Sequence, residues 1–223
     1  MLSKVLLRDV NLHTPSGRFV CFYDGDGEIE FSFNAKVATI GKGRIEFDFT
    51  PTSNPACVAT FSSYCGDNGI LLTIVATNPL NPIHNIRVIM PGFEATYAKQ
   101  PFHPLFLKTM SHYSAIRFMP WQNTNSDLTR EWSQRSVPGN ATIGTAGVPL
   151  EYMIQLSNTL GADPYFCIPH MASNGYIANF TATVKKLLRQ DLKVSMRIPN
   201  LSYPTVSLCD ISQCNVGLYR VFQ

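Results

Sequence analysis

The residues with the widest chemical scope in this chain are Glu94, Arg117, Trp121, Asn123, Asn125 and His170. Arg117 interrupts the apolar run Ala115-Ile-Arg-Phe-Met119, with Trp121 just beyond it. A guanidinium beside an indole suits a sugar, whose ring stacks on the aromatic face while its hydroxyls take hydrogen bonds. The other reading makes Arg117 half of a buried ion pair that holds a sheet together. His170 follows Phe166-Cys-Ile-Pro169 and reads either as a site residue or as a loop histidine with its ring satisfied. Glu94 is the one carboxylate expected beside these groups, since Glu151 opens a helix. Glycoside hydrolysis ordinarily takes two carboxyl groups, so no catalytic residue is assigned, and Glu94, Arg117, Trp121, Asn125 and His170 stand as substrate-binding candidates.

Other clusters carry less. Asp24, Asp26 and Glu28 are spaced like calcium ligands but lack the remaining ligands of a calcium loop, and acidic turn residues explain them. None of the six cysteines forms a CxxC pair or has histidine at ligand spacing, which argues against structural zinc. Cys57 and Cys65 flank a turn-rich stretch and are either a small disulfide-closed loop or two free thiols. Sequons at Asn140, Asn179 and Asn200 lean towards an extracellular glycoprotein. Asn179 falls in an expected helix, leaving Asn140 and Asn200 as glycosylation candidates. Met1-Leu-Ser-Lys-Val-Leu-Leu-Arg-Asp-Val10 has too short an apolar core for a signal peptide, so a secreted protein would need an upstream segment. No metal or cofactor is called for. A net charge of +3 with no basic run excludes a nucleic-acid footprint. The longest apolar stretches are strand-length, well short of the roughly 20 residues of a spanning helix.

The elements that must position these residues fall into two regimes. Before about Thr77 the pattern has period two. Arg18 to Tyr23 runs into Asp24-Gly-Asp-Gly27, a hairpin signal, and Ile29, Phe31 and Phe33 then share one face. Gly41-Lys-Gly43 makes a second turn before Ile45, Phe47 and Phe49. This predicts a β-sandwich-like module over residues 1–82. From residue 83 strands alternate with helices: strand 85–90, helix from Pro104 to Ser111, strand 115–119, helix from Pro149 to Leu160, strand 165–168, helix from Asn174 to Leu188 and strand 192–196. That order predicts parallel βα units over residues 83–193, with Ile86, Val88, Ile116, Phe118, Phe166 and Ile168 buried together. Arg117, Trp121, Asn125 and His170 would then gather at the carboxyl ends of the strands. A complete eight-stranded barrel takes about 250 residues, so this would be half of a barrel, with an apolar interior left open. A nucleotide-binding fold is disfavoured, because Met90-Pro-Gly-Phe-Glu94 offers a single glycine.

Several of these segments carry a resemblance. Asn85-Ile-Arg-Val-Ile-Met-Pro-Gly-Phe-Glu94, Ile116-Arg-Phe-Met119 with Trp121 and Thr124-Asn125, Glu151-Tyr-Met-Ile154, and Gly161-Ala-Asp-Pro-Tyr-Phe-Cys-Ile-Pro-His170 resemble a poorly characterised, mostly secreted family often fused to carbohydrate-binding modules. Its members are similar to barrel-type glycoside hydrolases that use paired glutamates. The likeness spans roughly residues 15 to 193. It implies a TIM-barrel-like domain acting on polysaccharide or another glycan. In that family the fourth strand is similar to Lys-Val-Tyr-Val-Glu-Tyr leading into Ser-Asn-Glu. Here Leu192-Lys-Val-Ser-Met-Arg-Ile-Pro-Asn200 stands instead, with no glutamate after Glu151. The expectation is a truncated, catalytically inactive relative whose residues 194–223 are an unpatterned tail, read as translated intron or a frame-shifted end. The rival expectation is a non-catalytic extracellular binding or structural protein.

Overall fold

The structure, a computed structural model, describes residues 2–7, 15–51, 69–123, 127–140, 147–197 and the backbone of 206–209. The chain divides into two compact units, Met1–Pro101 and Phe102–Gln223. The fold is mixed α/β with mostly antiparallel sheets.

The first unit holds two antiparallel sheets. One contains β1 (Leu2–Leu6), β6 (Ile70–Thr77) and β3 (Gly27–Phe33), in that order. The other orders β4 (Ala35–Gly41), β5 (Arg44–Phe49), β2 (Gly17–Asp24) and β7 (His84–Ile89). The expected alternation is what buries them. Phe19, Cys21 and Tyr23 of β2, Ile45, Phe47 and Phe49 of β5, Ile29 and Phe31 of β3, and Ile70 and Leu72 of β6 form one core. Phe31 and Phe47 stack at 4.2 Å between ring centres, joining the two sheets. Gly41 pairs with Arg44 around Lys42-Gly43, the second expected turn.

Two expectations fail here. Asp24-Gly-Asp-Gly27 does not close a hairpin: β2 pairs with β5 and β7, while β3 pairs with β6. The turn instead carries the chain from one sheet to the other. It is pinned to the 78–81 turn, with the Asp26 N–H donating to the Asn81 carbonyl at 2.9 Å and the Asn78 N–H to the Asp26 carbonyl at 2.8 Å. A Cβ on Gly25 would lie 2.1 Å from the Pro82 carbonyl oxygen, so glycine is required by contact as well as by its φ of 89°. The strand at 84–89 is not the first parallel strand either. It pairs antiparallel with β2, Val88 opposite Cys21. Ile86 and Val88 pack on the first unit's core, while Ile116, Phe118, Phe166 and Ile168 share a different one. Arg87 between Ile86 and Val88 is the physical reason: polar–apolar alternation fits a strand with one wet face, not one buried on both.

The second unit alternates helices and strands. Helix α1 (Pro104–Met110) precedes β8 (Ala115–Arg117), α2 (Leu150–Leu160), β9 (Asp163–Cys167), α3 (Asn174–Leu187) and β10 (Val194–Arg197). β8, β9 and β10 are parallel neighbours, and β11 (Val206–Cys209) adds antiparallel to β10. Glu151 sits in the first turn of α2, and Gly161 caps its end in the left-handed conformation at φ 68°. α3 starts where the Ser173 hydroxyl accepts from the Tyr176 N–H and ends after Lys185 and Lys186. Val194 is buried in the core and Met196 packs on it, so the first residues of the segment expected to be unpatterned form a strand. No helix of the described residues is long and apolar enough to cross a membrane.

Candidate functional site

Strand alternation sorts the parallel sheet into two unlike faces. Ile116 and Phe118, Phe166 and Ile168, and Val194 with Met196 point to one side. There they pack with Met153, Ile154 and Leu156 of α2 and Tyr176, Phe180 and Val184 of α3. Phe106 and Met110 of α1 join the same core. The intervening residues, Ala115 and Arg117, Tyr165 and Cys167, Ser195 and Arg197, point to the other side. That face is mixed, where the sequence reading expected an apolar interior: Arg117 and Arg197 are exposed, Tyr165 and Ser195 half-buried and Cys167 buried.

On this face Arg117 is exposed, and its guanidinium lies 5.3 Å from the centre of the Tyr165 ring. Tyr165 is directly opposite Arg117 on one side and Ser195 on the other. Cys167 pairs with Arg197 at the carboxyl end. Burial pushes the Cys167 thiol up, against the opposing pull of the Arg117 and Arg197 guanidiniums. Among the described residues neither arginine has a carboxylate within ion-pair distance, and the exposed Arg117 is not half of a buried pair with any of them. The Asp163 carboxylate, at the amino end of the same face, accepts the Lys193 N–H at 2.9 Å.

The loop after β8 is fixed to this sheet. The Gln122 side-chain carbonyl accepts the Cys167 N–H at 2.6 Å. Asn123 adopts φ 50°, a left-handed conformation that asparagine tolerates. Trp121 is half-buried, stacked on Phe106 at 6.4 Å and tilted against Phe118 at 5.7 Å. Beyond it, Gln122, Asp127, Arg135, Ser136, Pro169 and Tyr176 line a cavity of about 20 Å³. That admits about one water molecule and no sugar. Arg135 holds Glu151 through bonds of 2.7 and 3.1 Å and lies 4.2 Å from the Trp132 ring centre. The Tyr176 phenol is pushed up to about 12, first by burial and then by the nearby Asp127.

Of the sequence candidates, Arg117 lies on the face it shares with Tyr165, Trp121 joins the helix-side packing, and His170 is half-buried in the turn after β9. Glu94 belongs to the first unit, where its carboxylate accepts from Arg44 at 2.8 Å. Asn125, Asn200, Cys57 and Cys65 lie outside the described residues, and Asn140 is exposed. Asp24 accepts from Asn85 and Asp26 from Asn81, so both acids serve the turn. Among the described residues no cluster of acids, histidines and cysteines is arranged to hold a metal. The reading from sequence missed Tyr165, Ser195 and Arg197 as partners of Arg117. Their signal was available, since each alternates with a core residue. No family model matches the chain, and neither does any curated protein or solved structure.

Proposed function

We propose that this is a carbohydrate-binding protein built like the first part of a barrel-type glycoside hydrolase, and that this chain binds glycan without cleaving it. The observation that carries the reading is the face of the parallel sheet opposite the described helices, where Arg117 and Tyr165 lie side by side. In sheets of parallel βα units, ligands bind beyond the carboxyl ends of the strands, and Arg117, Cys167 and Arg197 are the last residues of theirs. The absence of turnover follows from the carboxylates. Glycosidases keep an acid and a second carboxylate free to work on opposite sides of one bond. Among the described residues of the second unit, Glu151 is committed to Arg135, Asp191 to Arg189, Asp163 to Lys193, Glu131 to Ser173 and Asp127 to the Thr129 N–H.

The test is retention of the purified chain on a panel of immobilised acidic and neutral polysaccharides, followed by a reducing-end assay. Retention that falls in Tyr165→Ala, with no new reducing ends, is the expected result. Retention by none of the polysaccharides would remove the glycan reading, and hydrolysis above background would remove the non-catalytic one.

A further inference from the structure

The Arg117–Arg197 face is unusual in what it offers a ligand. Arg117 and Arg197 carry only N–H donors and keep their charge at all ordinary pH. Ser195 and Tyr165 add hydroxyls between them. The one acid of that face among the described residues, Asp163, is turned to the Lys193 N–H at the far end of the strands. A neutral sugar hydroxyl both donates and accepts, and between the two arginines the Ser195 and Tyr165 hydroxyls are the acceptors among the described side chains. A carboxylate only accepts, and forks of guanidinium donors fit it two bonds at a time. The register fixes the spacing. Arg117 pairs with Tyr165, which pairs with Ser195, and Arg197 lies two residues further on. Strands about 4.8 Å apart with a rise of about 3.3 Å per residue put the two arginine backbones roughly 12 Å apart. Side chains of that length can close on one charged sugar or on neighbouring charges of a chain. Both guanidiniums are felt at Cys167, which lies between them.

We infer that the Arg117–Arg197 face of the β8–β10 sheet selects acidic glycans, with Arg117 and Arg197 gripping the carboxylates of uronic-acid units. The inference rests on the glycan-binding reading above and narrows it to one ligand class.

The experiment measures binding of the full chain to polygalacturonate, to the same polymer fully methyl-esterified, to a neutral glucan and to polyglutamate, at low and at physiological salt. Tight, salt-sensitive binding to polygalacturonate alone is expected. Arg117→Gln and Arg197→Gln should each weaken it by about tenfold, the scale of losing a charge-assisted hydrogen bond. Both side chains are exposed, so unchanged melting temperatures are expected alongside. If Arg117→Gln fails to fold, Arg197→Gln at the end of its strand decides. Equal binding of the acidic and esterified polymers would overturn the selection for charge while leaving glycan binding standing. Equal binding of polyglutamate would overturn the sugar class, and unaltered affinity in both variants would overturn the site. Failure to bind any of the polysaccharides would overturn this inference and the functional reading together.

Discussion

Arg117 and Trp121 are close in sequence and end in different environments, because strand alternation and the turn after β8 send them apart. Arg117 points to the face it shares with Tyr165, while Trp121 fills space between Phe106 and Phe118. Trp121→Ala should therefore cost about 3 kcal/mol, the range for emptying an aromatic site in a core. Denaturant unfolding measures it, and a loss under 1 kcal/mol (roughly the cost of a surface change) would mean the ring is not packed. Arg135 is a second residue whose role is structural. Its bidentate bonds to Glu151 are mostly shielded from water, with side-chain exposures of 15% and 27%. Removing one partner strands the other, so Glu151→Ala should destabilise by roughly 1–3 kcal/mol. The same substitution at exposed Glu28 should cost next to nothing.

Elements show how far the sequence was legible. The helices α2 and α3 were readable because apolar spacing and end signals agree: Pro149 and Gly161 bracket one, and lysines close the other. The three parallel strands were readable from their alternation with helices. The strand at 84–89 was not, because it precedes the helix–strand alternation and reads as its first member, whereas Arg87 fits it to a sheet with one wet face. Asp24-Gly-Asp-Gly27 misled for a different reason. Local turn chemistry announces a reversal of the chain, but not whether the next strand joins the same sheet. Glycine substitutions separate the two kinds of turn. At Gly161 the nearest neighbour of an added Cβ is 3.7 Å away, so Gly161→Ala bears only left-handed strain, about 1 kcal/mol. At Gly27 a Cβ would meet the Ala76 carbonyl oxygen at 2.3 Å. Gly27→Ala should cost clearly more than Gly161→Ala, and equal melting temperatures would contradict this turn geometry.

The outer face of the four-stranded sheet carries a ladder of ion pairs whose carboxylates make stability depend on pH in a testable way. Arg18 donates to Asp48 and Glu46 across β2 and β5, and Arg44 to Glu46 and Glu94. Hydrogen bonds from Arg44 hold the Glu46 carboxyl below its usual range, and those from Arg18 do the same for Asp48. A depressed carboxyl binds fewer protons folded than unfolded, so its contribution is present above the unfolded value of about 4 and lost as pH falls through the folded one. Acid titration of the melting temperature should show that loss beginning near pH 4 and shrinking in Arg18→Gln. An identical profile in the variant would detach the ladder from acid stability.

At the scale of the whole molecule, the proposed recognition lies on the second unit and an ion-paired surface on the first. The arginines report on both. Arg18 and Arg44 are engaged by acids, whereas Arg117 and Arg197 have no ion pair among the described residues. The most direct test is arginine-selective chemical labelling of the intact chain, read by mass spectrometry with and without polygalacturonate. Arg117 and Arg197 are expected to label readily in the free protein and to be protected by the polymer, while Arg18 and Arg44 are unchanged. Protection of Arg18 or Arg44 with Arg117 and Arg197 still reactive would place recognition on the first unit and contradict the proposed site.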